Sequence, residues 1–223
     1  MEFLGRDPYY KEKFLQSQYD YGFDGYSYLG QEDSLNQYPE DQLFSFVLST
    51  ETPQHKFPTE FHRFLQEEFP VVLEKVKTIE MEILKKHFTD KEIEFYKNHI
   101  THMISCNYYP AGFTGEKRLT AHPDASLLSV FPYGNPSGLM TAVNDEPTSL
   151  DDSVPTNNTA FAFSGYLSEY LTQGRIKAFN HWVDSVNPKE ERFSFALFSI
   201  PKREAKGQWG DANSYFRAYL DLF

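Results

Sequence analysis

With 223 residues, 40% of them apolar and 17% aromatic, the chain is long enough to bury a core without help from disulfides. A net charge of −11 leaves no basic stripe to displace counterions from a phosphate backbone, which argues against a nucleic-acid partner. The single cysteine, Cys106, rules out an internal disulfide framework or a thiolate metal cluster. No signal-like apolar core opens the chain and no apolar run approaches the roughly 18 residues of a membrane span, so the expectation is a soluble, cytoplasmic protein with no membrane partner.

In chain order, residues 1–56 are rich in Tyr, Gln, Asp and Gly with weak periodicity, and read as an irregular segment packed through its rings. Residues 57–100 read as helices. Phe61, Phe64, Leu65 and Phe69 recur at helical spacing until Pro70 interrupts; Val72, Val76, Ile79 and Ile83 then make an amphipathic stripe ending near His87. Thr89 with Glu92 three residues later is a capping-box signature for a helix over about 90–99.

Residues 101–202 read as short strands: MISCNYY, SLLSVF, GLMTAV, NTAFAF, RIKAFNHWV and RFSFALFSI. The segments NPSG, NDEP, SVPTNN and NPKEE between them carry turn chemistry. Such spacing predicts a sandwich or barrel, not alternating βα units. In the tail, 203–223, SYFRAYLDLF predicts a short amphipathic helix over one end. The expectation is a single domain, mainly β with flanking α-helices, its N-terminal helices packed on the β core.

Within TAHPDASLLSVF, His122 and Asp124 are two apart. On a helix they would diverge by about 200°, but on extended backbone they share a side. In RIKAFNHWV, alternation puts Arg175, Lys177, Phe179, His181 and Val183 on one face. His122, Asp124 and His181 would together form a two-His-one-carboxylate set, the arrangement of non-haem Fe(II) oxygenases. Taken alone, the dyad is a weak signal, and a strand-edge histidine beside a turn-capping aspartate is the commoner case. In ERFSF, Arg192 and Ser194 share a face with Ala196 and Phe198, while Phe193, Phe195 and Leu197 point the other way. An inward arginine is costly unless it meets an anion. Its planar fork beside a hydroxyl suits a carboxylate, and a core glutamate is the alternative partner.

Other candidates carry less. His99 and His102 are three apart with no carboxylate in register, and read as structural. Cys106 reads as a small buried hydrophobe. The carboxylate clusters QEE, DD and KEE read as solvated faces, and neither a phosphate loop nor a nucleophile elbow is present.

The order NYYP (107–110), HPD (122–124), TQGRIKAFNHWV (172–183) and ERFSF (191–195) resembles the isopenicillin N synthase-like 2-oxoglutarate/Fe(II)-dependent dioxygenases. The likeness runs from about residue 100 to 202, with fainter echoes in GYSYLGQED and the helix from 71. It implies a double-stranded β-helix, or jelly roll, with Fe(II) on His122, Asp124 and His181. Arg192 and Ser194 would hold the distal carboxylate of 2-oxoglutarate, with Tyr109 and Asn107 adding polar contacts. It also implies O2-dependent oxidation, by default hydroxylation, of a small-molecule substrate, with succinate and CO2 formed. An oxidase that does not use 2-oxoglutarate and a non-catalytic metal- or carboxylate-binding jelly roll stand as alternatives. Two departures are visible. His181 is followed by Trp182 where the family commonly has arginine. Members also carry an extra strand and helices ahead of the position of residue 1, so a short form with an open pocket, or a fragment, is expected.

Overall fold

The computed structural model describes residues 2–28, 41–112, 115–133, 138–150, 160–185, 189–206 and 210–221. Two antiparallel sheets form the core. In chain order the strands are β1 (Gly25–Ser27), β2 (Phe44–Ser49), β3 (Ile100–Tyr109), β4 (Lys117–His122), β5 (Leu128–Phe131), β6 (Leu139–Val143), β7 (Glu146–Ser149), β8 (Phe161–Ser164), β9 (His181–Asp184) and β10 (Arg192–Pro201). The larger sheet has the order β1-β2-β3-β10-β5-β8 and the smaller β4-β9-β6-β7. Among the described residues, five α-helices flank them: α1 (Pro8–Glu12), α2 (Phe69–His87), α3 (Asp90–His99), α4 (Tyr166–Leu171) and α5 (Ala212–Leu220). This is the jelly-roll arrangement expected from the sequence, with helices packed on the sheet's outer face.

Strand alternation divides the packing. Leu197, Ile104 and Val130 point outward from the large sheet against Phe69, Leu73 and Val76 of α2. On the opposite face, Ala196, Tyr109 and Phe131 of the same three strands point inward against Leu139 and Val183 of the small sheet. Each fully buried Leu, Ile or Val contributes roughly 2 kcal/mol of apolar transfer free energy, so the two layers together fix the sheet that carries the site.

Several expectations need correction. Pro70 does not interrupt a helix: a π-helical turn, Phe64–Glu68, runs into α2, and Pro70 sits in the first turn, where no amide donor is needed. The buried stripe of α2 is Phe69, Leu73, Val76, Glu80 and Leu84, and of the expected set only Val76 lies on it. Glu80 disguises that stripe in the sequence, because its carboxylate is buried by accepting from Tyr96 Oη (2.6 Å) and by contact with His102 Nε2 (2.7 Å). His102 thus has the carboxylate partner that the sequence did not reveal.

RIKAFNHWV is not one strand. Only its last residues enter β9, after α4 and a turn in which Gln173 and Gly174 take positive φ. Arg175 and Lys177 face solvent and bond Glu92 (2.7 Å) and Glu169 (2.8 Å). Strand β2 hides in the segment read as irregular because nearly all of it is buried on both faces, which erases alternation. NDEP is part turn, part strand: Asn144 and Asp145 take φ of 52° and 66°, and Glu146 and Pro147 begin the edge strand β7. The capping box of Thr89 and Glu92 starts α3 as expected, and α5 closes one end of the fold. NPSG, SVPTNN and the DD pair lie wholly or largely outside the described residues.

Candidate metal and carboxylate site

His122 ends β4 and stands directly across from His181, which begins β9. Pro123 stops the ladder, and Asp124 follows it beyond the strand. Convergence of the pair therefore comes from a turn and not from strand alternation. Asp124 Oδ1 lies 3.6 Å from His122 Nε2 and 3.8 Å from His181 Nε2. The three ligand atoms all fall within 4.8 Å of one another.

Each imidazole is oriented from behind. His122 Nδ1 is 2.7 Å from the Thr120 carbonyl, which can only accept, so Nδ1 carries the proton and Nε2 is the free donor atom. His181 Nδ1 faces the Phe179 carbonyl at 3.3 Å. Asp124 Oδ2 accepts from Ser129 Oγ at 2.5 Å, and Ser129 Oγ meets Ser126 Oγ at 2.7 Å. Three successive carbonyls of the turn are also held. Pro123 O accepts from Tyr219 Oη (2.6 Å), Asp124 O from the Tyr166 amide (2.7 Å) and Ala125 O from Tyr215 Oη (2.6 Å). Gly165 makes room for this: a Cβ there would overlap Ser126 O and sit 2.8 Å from Asp124 O.

Burial pushes the His181 imidazole down to about 4, against the attraction of Asp124, so it is neutral at neutral pH. Burial also opposes charge on His122, but hydrogen bonding and attraction from Asp124 outweigh it and hold that pKa above the ordinary value. For Asp124, burial is overcome by the two imidazoles and the Ser129 hydroxyl, and the carboxyl stays below its usual range. Two imidazole nitrogens and one ionised carboxylate, each braced by a hydrogen bond to its other atom, fit a divalent first-row metal with one face open.

The candidate carboxylate anchor is set by register. β10 pairs with β3 so that Arg192 opposes Tyr109 and Ser194 opposes Asn107. The Arg192 guanidinium lies 4.6 Å from the centre of the Tyr109 ring, and its Nη1 donates to Ser194 Oγ at 3.3 Å. Asn107 Nδ2 reaches the same oxygen at 3.4 Å, while its Oδ1 accepts from Ser105 Oγ at 2.7 Å. Phe193 and Phe195 point outward, 39% and 37% exposed, whereas Arg192 is only 8% exposed, which confirms the alternation. All seven residues singled out from the sequence (Asn107, Tyr109, His122, Asp124, His181, Arg192 and Ser194) line one cavity of about 130 Å³. Phe131 and Phe198 are in its wall as expected; Phe179 instead stacks on the His181 ring.

Sequence reasoning missed Asp41, Ser129, Gly165 and Tyr219. Asp41 and Tyr219 line the cavity from the two ends of the chain, where no motif marks them. Ser129 sits among apolar residues and resembles any strand serine.

Residues 100–201 match the family model of the 2OG-Fe(II) oxygenase superfamily. That segment is similar to the superfamily, within which the isopenicillin N synthase-like resemblance falls; Fe(II), 2-oxoglutarate and O2 are the cofactors and cosubstrates of enzymes of this class. Solved structures share the fold. JOX2, in complex with 2OG, Fe and JA, is 25% identical with a TM-score of 0.66, over 91% of this chain and 62% of its own. A full-length Neurospora crassa protein, solved with alpha-KG and 5-formyluracil, is 17% identical with a TM-score of 0.70, over 100% of this chain and 79% of its own. The dioxygenase for auxin oxidation 1 from Arabidopsis thaliana, with 2-oxoglutarate, is 13% identical with a TM-score of 0.67, over 92% of this chain and 76% of its own. No curated protein matches the chain in sequence. Among the described residues, no helix is long and apolar enough to cross a membrane.

Proposed function

We propose that the chain hydroxylates a small organic metabolite in the cytoplasm, as one domain, consuming 2-oxoglutarate and O2 and releasing succinate and CO2. The supporting observation is that both residue sets, the His-Asp-His cluster and the Arg-Ser anchor, line a single cavity. Under this reading His122 and His181 hold Fe(II) through Nε2 and Asp124 through a carboxylate oxygen. Arg192 and Ser194 hold the distal carboxylate of 2-oxoglutarate, with Tyr109 and Asn107 shaping the anchor. Fe(II), when bound, supplies the activation of O2 that couples decarboxylation to substrate oxidation. One O2 oxygen ends in succinate and the other in the new hydroxyl, so the sum balances.

The chain's own groups bind, orient and exclude water. His181 is neutral and ready to ligate, because burial keeps a proton off it. Leu43, Phe131, Leu139, Val183 and Phe198 make much of the remaining wall apolar, which suits a substrate with a largely apolar or flat body. A small-molecule substrate is further supported by the neighbours solved with JA and with 5-formyluracil.

The test is the visible spectrum of the oxygen-free protein with Fe(II) and 2-oxoglutarate, for wild type and Arg192→Ala. A weak charge-transfer band that needs both additions and fades in the variant supports the reading. Iron binding without a band would assign the anchor to some other carboxylate, and O2 uptake without 2-oxoglutarate would point to an oxidase.

A further inference from the structure

Asp41 lies 3% exposed in the cavity wall, outside every motif of the sequence. Its Oδ1 accepts both the Thr120 amide and the Thr120 hydroxyl, each at 2.8 Å. The next residue runs along the same edge, with the Gln42 amide donating to the Arg118 carbonyl at 2.8 Å. β4 is an edge strand of its sheet, and its register against β9 shifts between Leu119 and His122. Thr120 therefore sits at the irregular part of the strand, where the regular ladder does not fix it. Its carbonyl is the group that takes the His122 Nδ1 proton.

We propose that Asp41 is a positioning residue for the metal site: by clamping Thr120 through two hydrogen bonds, it fixes the carbonyl that sets the His122 tautomer and aims Nε2 at Asp124. The inference rests on His122 being a metal ligand. Asp41 acts through Thr120 and not as a ligand, so its amide isostere should serve. Asn at this position keeps an oxygen able to accept from both Thr120 donors, whereas Ala keeps none.

The experiment reads the tautomer without metal and the affinity with it, on the full chain. Long-range proton–nitrogen NMR spectra at about pH 8.5, where free imidazoles are neutral, report which ring nitrogen of His122 is protonated. Its signals are assigned by their loss in His122→Gln. Co(II) titration gives the affinity. Asp41→Ala is expected to mix the two tautomers and to weaken Co(II) binding about 10- to 100-fold, as loss of an outer-shell partner does. Asp41→Asn is expected to keep the Nδ1-protonated form and bind within about threefold of wild type. An unchanged tautomer in Asp41→Ala would overturn the proposal, as would Asp41→Asn being as impaired as Asp41→Ala. Should Asp41→Ala not fold, Thr120→Val removes one of the two clamping bonds and is expected to cost about threefold in affinity. No loss there would equally overturn it. Wild type that binds no Co(II) refutes the metal reading instead, while the tautomer readout still judges the clamp.

Discussion

His122 and His181 face each other across the β4–β9 pair with ring centres 4.7 Å apart and a tilt of 50°. Neither ring is placed by its own sequence motif alone. Strand pairing sets their separation, the carbonyls of Thr120 and Phe179 set their rotation, and Asp124 closes the third side from a turn. The candidate metal site is thus a property of two strand ends and a braced turn.

That bracing makes Asp124 and Ser129 separable by mutation. Asp124→Ala removes a donor atom and is expected to abolish turnover and to lower Co(II) affinity by more than about 100-fold. Ser129→Ala leaves the donor set intact but frees Oδ2, and the loss is expected to be about tenfold. Calorimetric titration of the oxygen-free protein distinguishes them; equal losses would mean that Ser129 does more than orient the carboxylate.

Arg192 depends on shape as well as charge. Lysine keeps the cation but neither the fork nor the flat face over Tyr109. Arg192→Lys is expected to weaken 2-oxoglutarate binding about tenfold and Arg192→Ala about 100-fold or more, with Co(II) affinity unchanged in both. A lysine variant with wild-type affinity would show that a point charge is enough.

Gly165 is a steric prediction that spans fold and site. Its neighbours, the Ser126 and Asp124 carbonyls, leave no room for a Cβ. Gly165→Ala is expected to cost about 1–3 kcal/mol, a fall in Tm of about 3–10 °C, and to weaken Co(II) binding because the Asp124 turn must move. Normal metal affinity in a destabilised variant would confine the effect to packing.

Metal affinity should depend on pH through His122. Its pKa lies above the ordinary value, so below that point the metal must displace a proton, and affinity falls as pH falls. His181, near 4, carries no proton above about pH 5 and adds nothing to the slope there. The expectation is about tenfold weaker Co(II) binding for each pH unit below the His122 pKa, a single-proton slope. A two-proton slope between about pH 6 and 7 would mean that His181 also titrates there.

The jelly roll, and the residues that meet in the candidate metal and carboxylate site, are legible because β10 alternates and the motifs occur in order. What failed did so for physical reasons. Nine residues of RIKAFNHWV satisfy an alternating pattern, yet Arg175 and Lys177 obey outer ion pairs and a positive-φ turn instead. The α2 stripe was misaligned because Glu80 is buried by partners 16 and 22 residues away, which no helical periodicity contains. Asp41 and Tyr219 reach the cavity only through tertiary contact, so no local spacing can mark them.

Glu80 gives the last prediction. It is fully buried, receives Tyr96 and His102 on one oxygen, and its other oxygen has no hydrogen-bond partner among the described residues. Glu80→Ala strands the Tyr96 hydroxyl and the His102 ring between α2, α3 and β3, and is expected to cost about 3 kcal/mol, a Tm lower by about 10 °C. Glu80→Gln keeps an acceptor on the bonded side, and about half that loss is expected. The cluster lies on the outer face of the large sheet, opposite the cavity, so Co(II) affinity should stay within about twofold of wild type in both. An unchanged Tm in Glu80→Ala would show that the buried cluster is not what ties α2 to the sheet. A parallel loss of metal affinity would show that the two faces of β3 are coupled, through the strand that carries His102 on one side and Asn107 and Tyr109 on the other.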